Sequence, residues 1–349
     1  MAPNYGRHKK QKTAYEIHER LVGSEMCIRD RRCPCDLISC RNSFLVDMKK
    51  ITLYVLLFSA SLFAQEVSIV VLGTAQDAGA PQIACKKECC NGLWKTQKAE
   101  AVVALGLIDR KENIHYMFEA TPNITQQLNY LEDQAGPNSS FKGVFLTHAH
   151  IGHYSGLMYF GKEALGGKSI PIYALPKMSQ FIQENGPWEQ LVSSENIQLN
   201  TIYADRVVQH TAQIKVTPLV VPHRDEYSET VGYLIQGPNK SALFIPDIDK
   251  WERWKTPIET MIAKVDYAFL DATFFDGNEL PGRNINAVPH PFVKKSMQRF
   301  EALSDKEKNK VYFIHFNHTN PLLKNDSAAS LLVRKKGYHI ARTGMKINL

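Results

Sequence analysis

The sequence has few cysteines, and they are unevenly distributed. Of seven in 349 residues, four lie within residues 1–47, and only Cys85, Cys89 and Cys90 follow residue 64. Three cysteines cannot all pair, which argues against a disulfide framework as the main source of stability. Repeats, low-complexity tracts and internal linkers are also lacking after residue 66. We therefore expect residues 65–349 to form one large domain with a sizeable core.

Long hydrophobic runs are scarce as well. The segment 48–64 has two lysines, a short apolar core and a small residue at its end. It is too short for a stable membrane span and is typical of a secretory signal peptide, with Met48 as initiator and cleavage after Ala64. We expect an exported, periplasmic or secreted protein that has no membrane association once the signal is removed.

Residues 1–47 precede this predicted start. They are basic and patternless, and residues 21–31 resemble translated sequencing-adapter read-through. We predict a non-native or disordered extension. The alternatives are a genuine disordered segment or a small zinc module that uses Cys33, Cys35 and Cys40.

The mature region lacks a strong charge of either sign. Residues 1–64 hold 11 Lys and Arg against 6 Asp and Glu, which leaves 31 against 29 in the remaining 285 residues. The net charge of +7 therefore falls to +2, and no basic stripe remains to bind nucleic acid. We expect a small-molecule substrate and no nucleic-acid partner. The sequence does not indicate which oligomeric state the protein has.

The order of elements predicts the fold class. Hairpins are followed by alternating strands and helices, including predicted helices at 155–163 and 291–303. This order favours an α/β protein with two mixed β-sheets covered by helices on the outside.

Three histidines follow one apolar strand. His148, His150 and His153 lie within six residues, directly after the run 143–147. Imidazole is a common metal ligand, and this spacing lets the rings converge on one ion or two. Further polar residues end other predicted strands, where sites collect on rigid scaffolds. These residues are His223, Asp247, Asp271 and His315. Zinc is the metal we expect, and iron fits nearly as well.

In this order, the residues resemble the metallo-β-lactamase fold superfamily, an αββα four-layer sandwich. The family motif His-x-His-x-Asp-His corresponds to His148-Ala-His150-Ile-Gly152-His153. The segments 71–75, 221–227, 271–274 and 315–321 are similar to the branch of the coenzyme PQQ synthesis protein B proteins. The resemblance spans roughly residues 67–345.

The resemblance implies a metal scheme. One ion would be held by His148, His150 and His223, and a second by His153, His315 and the motif aspartate. Asp247 would bridge the two ions. Gly152 departs from this scheme because it stands where the family has that aspartate. We expect a weakened second site or a mononuclear one, unless Asp77, Asp225 or Asp271 substitutes.

Two further site assignments follow from the resemblance. Asp271 with His290 resembles the acid and histidine pair of the RNase Z branch, which implies proton supply to a leaving group. We therefore assign catalytic roles to Asp247, Asp271 and His290; the alternative for His290 is a turn residue before a helix.

The cysteines form a separate cluster. The segment Cys85-Lys-Lys-Glu-Cys89-Cys90 favours soft ligands for a structural zinc, although the sequence offers no visible fourth ligand. The alternatives are a Cys89–Cys90 disulfide or a bond from Cys85 to either neighbour. The family cluster holds a structural zinc, but its usual spacing, Cys-x-Cys-x-x-Cys, differs from the spacing here.

These observations predict an exported hydrolase that uses a metal-activated water. One alternative is a non-catalytic binding or carrier protein linked to pyrroloquinoline quinone biosynthesis or transport, which the loss of the aspartate at Gly152 favours. The other is an iron-dependent enzyme that activates oxygen.

Overall fold

The computed structural model describes residues 66–96 and 99–349. The predicted extension 1–47 and signal peptide 48–64 lie outside the described residues. Among the described residues, no helix is long and apolar enough to cross a membrane.

Two seven-stranded sheets form the centre of the described chain. The first has the order β14-β1-β2-β3-β4-β5-β6, and the second the order β13-β12-β11-β10-β9-β8-β7. Both sheets are mixed: antiparallel pairs join β1, β2 and β3, whereas β10, β11 and β12 run parallel. The strands are β1 Val67–Gly73, β2 Ala104–Asp109, β3 Ile114–Phe118, β4 Ser140–Phe145, β5 Ile170–Ala174, β6 Ile197–Thr201, β7 Val208–Gln209, β8 Lys215–Val220, β9 Val231–Gln236, β10 Ser241–Ile245, β11 Tyr267–Asp271, β12 Val311–Ile314, β13 His339–Ile340 and β14 Lys346–Asn348.

Helices connect many of the strands, and short 3₁₀ turns extend several of them. The α-helices are α1 Ile124–Ala135, α2 Ile151–Tyr154, α3 Pro176–Glu184, α4 Trp188–Ser193, α5 Ile258–Lys264, α6 Val293–Arg299, α7 Asp305–Lys308 and α8 Ala328–Lys335. The 3₁₀ turns are Leu93–Lys95, Ser155–Phe160, Trp251–Arg253, Gly277–Glu279, Ile285–Ala287, Phe300–Ala302 and Pro321–Leu323.

The buried side chains form three main layers that confirm the predicted αββα sandwich. Side chains alternate along a strand, so β1 sends Val67, Ile69 and Val71 into a core shared by both sheets. Its other face, with Val70 and Leu72, packs in the cluster that includes helix α1. A third cluster packs β10 and β11 against helices α5 and α6. Both faces of the strands are therefore buried, which explains their continuous apolar runs.

The predicted helix at 155–163 is wrong in type. The chain forms the short helix α2 and then a 3₁₀ turn over Ser155–Phe160. The reason is tertiary: the His153 carbonyl accepts a hydrogen bond from the Ala120 amide, and the Gly156 amide donates to the Ala120 carbonyl. These backbone groups are therefore not available for a regular helix. The helix predicted at 291–303 is also shorter, because α6 ends at Arg299 and a 3₁₀ turn follows.

An aromatic stack lies between the sheets, just before the histidine loop. Phe145, the last residue of β4, stacks on Phe118 at 4.8 Å and on Tyr173 at 4.6 Å between ring centroids. Tyr233 of the opposite sheet meets Phe145 edge-on at 5.6 Å. Its hydroxyl donates a hydrogen bond to the carbonyl of Leu146, so the second sheet holds the start of the loop.

We predict that Phe145→Ala lowers the free energy of unfolding by about 3–5 kcal/mol, because the ring is fully buried and its removal leaves a cavity. Chemical denaturation measures this loss. The control Phe145→Leu retains most of the volume and should lose clearly less. A loss below ~1 kcal/mol for the alanine variant would contradict the role of the stack.

Candidate metal centre

The predicted site residues lie where strands end. His148 comes three residues after β4, Asp247 two residues after β10, and His315 directly after β12, while Asp271 is the last residue of β11. Because β10, β11 and β12 are parallel, their carboxyl ends share one edge of the second sheet. The scaffold thus brings together residues that are far apart in the chain.

A first group of donor atoms surrounds one face of Asp247. His148, His150, His223 and Asp247 each offer one atom, and these atoms all lie within 4.8 Å of one another. Nε2 of His148 is 3.4 Å from Oδ2 of Asp247, and Nε2 of His223 is 3.4 Å from Oδ1. This group matches the set that the sequence predicts for the first ion.

A second group lies beside the first. It consists of Asp77, His153 and His315, again with donor atoms within 4.8 Å of one another. Nε2 of His153 is 3.4 Å from Oδ1 of Asp77 and 3.8 Å from Oδ2 of Asp247. Nε2 of His315 is 3.9 Å from the same Asp247 oxygen. Asp247 therefore lies between both groups, as a bridging ligand requires.

A buried carboxylate and a hydroxyl orient the histidine loop. Thr147 donates its hydroxyl proton to Oε1 of Glu119, so its oxygen accepts a bond from Nδ1 of His148 at 2.9 Å. Glu119 also accepts from Nδ1 of His153 at 3.0 Å. Both rings therefore keep a lone pair on Nε2. Nε2 of His153 makes no hydrogen bond with any described residue, whereas Nε2 of His148 lies 2.8 Å from Nδ1 of His150. Such outer partners are typical of metal-binding histidines.

A matching arrangement holds the end of β12. Thr273 donates its hydroxyl proton to Asp271, so its oxygen accepts a bond from Nδ1 of His315 at 2.9 Å. Asp271 is fully buried and also accepts from the backbone amides of Ile248 and Thr273. Through Thr273, the Asp271 carboxylate therefore holds the ring of His315 in place.

The donor atoms fit a metal because they are otherwise unsatisfied. Nε2 of His153, both nitrogens of His223, Nε2 of His315 and Oδ1 of Asp247 are buried and make no hydrogen bond with any described residue. Buried polar atoms without a partner are rare and each costs free energy. A cation at this position would satisfy them together.

The pKa values follow the same arrangement. Burial lowers the pKa of His223 to about 4 and that of His148 well below its ordinary value, so both rings are neutral ligands at pH 7. Burial would raise the pKa of Asp247, but the positive charge of His290, together with the other imidazoles beside it, holds this pKa well below its usual range. The carboxylate at the centre is therefore ionised. Protons begin to compete for His223 only far below neutral pH.

His290 lies at the edge of this cluster. Its Nδ1 is 3.0 Å from Oδ2 of Asp271 and 3.2 Å from Oδ1 of Asp247. Burial lowers the pKa of His290, but the charges of Asp271 and Asp247 raise it to about 10. Both ring nitrogens of His290 are therefore protonated at neutral pH, and the ring is positively charged.

A cavity of about 510 Å³ opens beside the cluster. Its wall includes His290 and Asp77 from the site, together with Arg224 and Arg283. Arg224 is half exposed, and Arg283 is exposed. The cavity is therefore large enough for a small molecule and carries two cations at its rim.

The three carboxylates considered for the place of the motif aspartate separate clearly. Asp77 lies in the second donor group. Asp225 accepts a hydrogen bond from the Thr230 hydroxyl at 2.8 Å and is absent from the donor groups found among the described residues. Asp271 belongs with His290, His315 and Asp247 in a third group, where three donors already hold it.

The cysteine cluster gains a fourth member. Cys85, Cys89, Cys90 and His318 place donor atoms within 4.8 Å of one another. Nδ1 of His318 is 3.4 Å from Sγ of Cys89 and 3.2 Å from Sγ of Cys90. The sulfur atoms of Cys89 and Cys90 are 3.8 Å apart, so the structure holds free thiols and not a Cys89–Cys90 disulfide. Three cysteines and one histidine are a usual ligand set for structural zinc.

The three thiols of this cluster do not ionise equally. Burial opposes the ionisation of Cys85, but hydrogen bonds from Cys90 and Cys89 lower its pKa. Burial and the neighbouring Cys90 raise the pKa of Cys89 to about 12. Burial and Cys85 likewise raise the pKa of Cys90. A bound cation would stabilise the thiolates together, which is how zinc sites overcome this repulsion.

Sequence reasoning missed Glu119, Thr147, Thr273 and the ligand position of His318. Glu119 and Thr147 follow apolar strands, so the rule that identified Asp247 and His315 would have found them. His318 lies 228 positions from Cys90, and no local pattern connects the two.

Comparisons with known proteins agree with this fold. Residues 115–316 match the family model described as a beta-lactamase superfamily domain. Coenzyme PQQ synthesis protein B of Methylorubrum extorquens (strain PA1) is 23% identical over 316 residues, covering 80% of this chain and 99% of the relative. The protein of the same name from Methylobacillus flagellatus is 25% identical over 310 residues, with the same coverage.

Solved structures share the fold. The crystal structure of Zn²⁺-bound PqqB from Methylobacterium extorquens has a TM-score of 0.67 at 20% identity, covering 81% of this chain and 100% of that chain. A diphosphatase from the PhnP family has a TM-score of 0.57 at 19% identity, covering 80% and 96%. At these identities, the likeness concerns the fold alone.

We predict that Glu119→Gln weakens zinc binding at the histidine cluster about 10- to 100-fold, because His153 loses the carboxylate that orients its ring. Competition with a chelator measures the change. Glu132→Gln is the matched control: Glu132 also faces a histidine, His115, at 3.4 Å, but away from the site. Equal affinity in the two variants would contradict the orienting role of Glu119.

We also predict that His318→Ala removes one zinc ion without altering the histidine cluster. Cobalt substitution tests this, because thiolate ligands give an intense near-ultraviolet absorption that the imidazole site lacks. The band should be lost or strongly weakened in His318→Ala and retained in the control His339→Ala. A band of unchanged intensity would remove His318 from the ligand set.

Proposed function

The chain belongs to the metallo-β-lactamase superfamily, and from this premise we propose that it is a metal-dependent hydrolase of small anionic molecules. The observation that carries the proposal is a set of buried imidazole nitrogens that converge on Asp247 beside a cavity and make no hydrogen bond within residues 66–96 and 99–349. Relatives of the same fold include a diphosphatase, which supports hydrolysis as the reaction class.

The proposed ligands are His148, His150 and His223, with Asp247 as the carboxylate. When bound there, zinc would lower the pKa of water and polarise an oxygen of the substrate. The chain's own residues prepare this chemistry: the neutral His148 and His223 offer lone pairs, and Thr147 fixes the ring of His148. Zinc is proposed from the ligand types and from the zinc-bound structure of similar fold.

His290 is the proposed proton donor. Asp271 and Asp247 hold its Nδ1 side, which leaves Nε2 as the nitrogen that can meet a substrate in the cavity. Its raised pKa keeps the ring protonated at neutral pH, so it can protonate a leaving oxygen as the scissile bond breaks. Asp271 positions the ring and does not itself need to reach the substrate.

The rim of the cavity supports an anionic substrate. Arg224 and Arg283 present two guanidinium groups beside the metal centre. Guanidinium recognises carboxylate and phosphate oxygens through paired hydrogen bonds. A small phosphate ester or a carboxylated ester therefore suits the cavity better than a neutral molecule.

A role in handling pyrroloquinoline quinone, as a binding or carrier protein, is the second candidate. Its support is the name of the relatives, which this chain matches over 99% of their length. A carrier would bind its ligand tightly without turnover in the zinc-loaded form, which separates it from a hydrolase.

We also propose that the protein is exported by the predicted signal 48–64.

We predict that the zinc-loaded protein hydrolyses at least one anionic member of a panel of chromogenic phosphate, phosphodiester, ester and lactam substrates. His150→Ala should lose this activity together with one zinc ion, because it removes a ligand of the first group. Purified protein with quantified metal content is assayed before and after chelation. Full zinc occupancy without turnover of any panel member would favour the carrier.

We predict that His290→Asn lowers kcat by about 10²–10⁴-fold for substrates with a basic leaving group. Nitrophenolate leaves without a proton, so its esters should lose far less. His339→Asn is the matched control, since His339 lies in strand β13 and hydrogen-bonds Asn309. An equal loss for both leaving groups would argue against proton donation by His290.

A further inference from the structure

Gly152 stands where the family motif has an aspartate, and its lack of a side chain has a spatial reason. A Cβ atom at this position would lie 2.4 Å from the Cα of Asp77 and 2.5 Å from its Oδ1. Carbon atoms do not approach backbone this closely without displacing it. Any residue other than glycine would therefore push the Asp77 segment away from the histidine cluster.

The Asp77 carboxylate occupies the space that opens above Gly152. Its Oδ1 is 3.4 Å from Nε2 of His153, and His315 completes a group of donor atoms within 4.8 Å of one another. Oδ1 of Asp77 and Nε2 of both histidines are buried and make no hydrogen bond with any described residue. Three unsatisfied donor atoms therefore face a common point.

Neighbouring groups hold Asp77 in this position. Its Oδ2 accepts a bond from the Gln76 side-chain amide at 3.3 Å, and the side-chain oxygen Oε1 of Gln76 accepts one from the Asn317 side chain at 2.7 Å. The Gln76 amide also donates to the Phe316 carbonyl at 2.8 Å. Asp77 has a φ of 23°, which is unfavourable for a residue with a side chain. The segment after His315 thus holds Asp77 in a conformation that it would not adopt alone.

We propose that Asp77 takes the place of the motif aspartate and is the carboxylate ligand of a second metal ion, together with His153, His315 and Asp247. Gly152 is then a requirement of this arrangement and not the loss of a site. The inference rests on the proposed function and deepens it, because it makes the centre dinuclear. The carboxylate has moved from the histidine loop to the loop after β1.

The test changes the carboxylate at position 77 and introduces one at position 152. Asp77→Asn should retain the first ion and bind the second at least ~10-fold more weakly. Gly152→Asp should do the same, because its side chain collides with Asp77. The double variant Asp77→Gly with Gly152→Asp places a carboxylate on the histidine loop, but the Cβ of residue 152 still meets the Cα of residue 77, so the second ion should stay weak.

The readout is cobalt stoichiometry by titration, with magnetic coupling between two neighbouring cobalt ions followed by electron paramagnetic resonance. The thiolate absorption band reports the cysteine cluster separately, so that ion is subtracted. Asp225→Asn is the matched control and should bind as the unaltered protein does. Circular dichroism confirms folding, and Asp77→Glu provides a second, conservative variant in which the second ion should be weakened but detectable.

Two outcomes would overturn the inference in different ways. If Asp77→Asn and Asp77→Glu both bind two coupled ions with unaltered affinity, Asp77 is not a ligand, and the proposed hydrolase remains. If the unaltered protein binds no ion outside the cysteine cluster, the proposed function fails with it.

Discussion

The charge of Asp247 is the constraint around which this centre is built. The carboxylate is 2% exposed, and five imidazoles approach it: His148, His153, His223, His290 and His315. A buried, unpaired carboxylate costs several kcal/mol, so the fold has to surround it with positive or polarisable partners. The histidines can stabilise this carboxylate only when their own rings are held in place. Hydrogen bonds that involve Glu119, Thr147, Thr273 and Asp271 hold these rings.

Three residues near the centre have a strained backbone. Glu119, His315 and Asp77 have φ values of 77°, 68° and 23°, although none of them is a glycine. Such conformations persist only where the surroundings over-determine them. Here Glu119 follows β3 and His315 follows β12, so two strands of buried sheets hold the ends of these segments. The sandwich therefore acts as a rigid frame for a strained polar interior.

Much of the fold and half of the site follow from local patterns. The run at 67–73 has the apolar, β-branched composition of a strand buried on both faces, and it forms β1. His148, His150 and His153 are close in sequence, so their spacing alone indicates a metal site. Long-range contacts are different in kind. Packing between distant segments brings Asp77 close to Gly152 and His318 close to Cys90. Backbone hydrogen bonds to Ala120 explain why the regular helix expected after Ser155 does not form.

The central claim is that metal ions, and not hydrogen bonds, satisfy the imidazoles around Asp247. Anomalous diffraction at the zinc edge from crystals of the zinc-loaded protein tests this most directly. We predict two peaks that flank the Asp247 carboxylate, one among His148, His150 and His223 and one among Asp77, His153 and His315. A third peak should lie at the cysteine cluster. Zinc-replete crystals with no peak beside Asp247 would contradict the account.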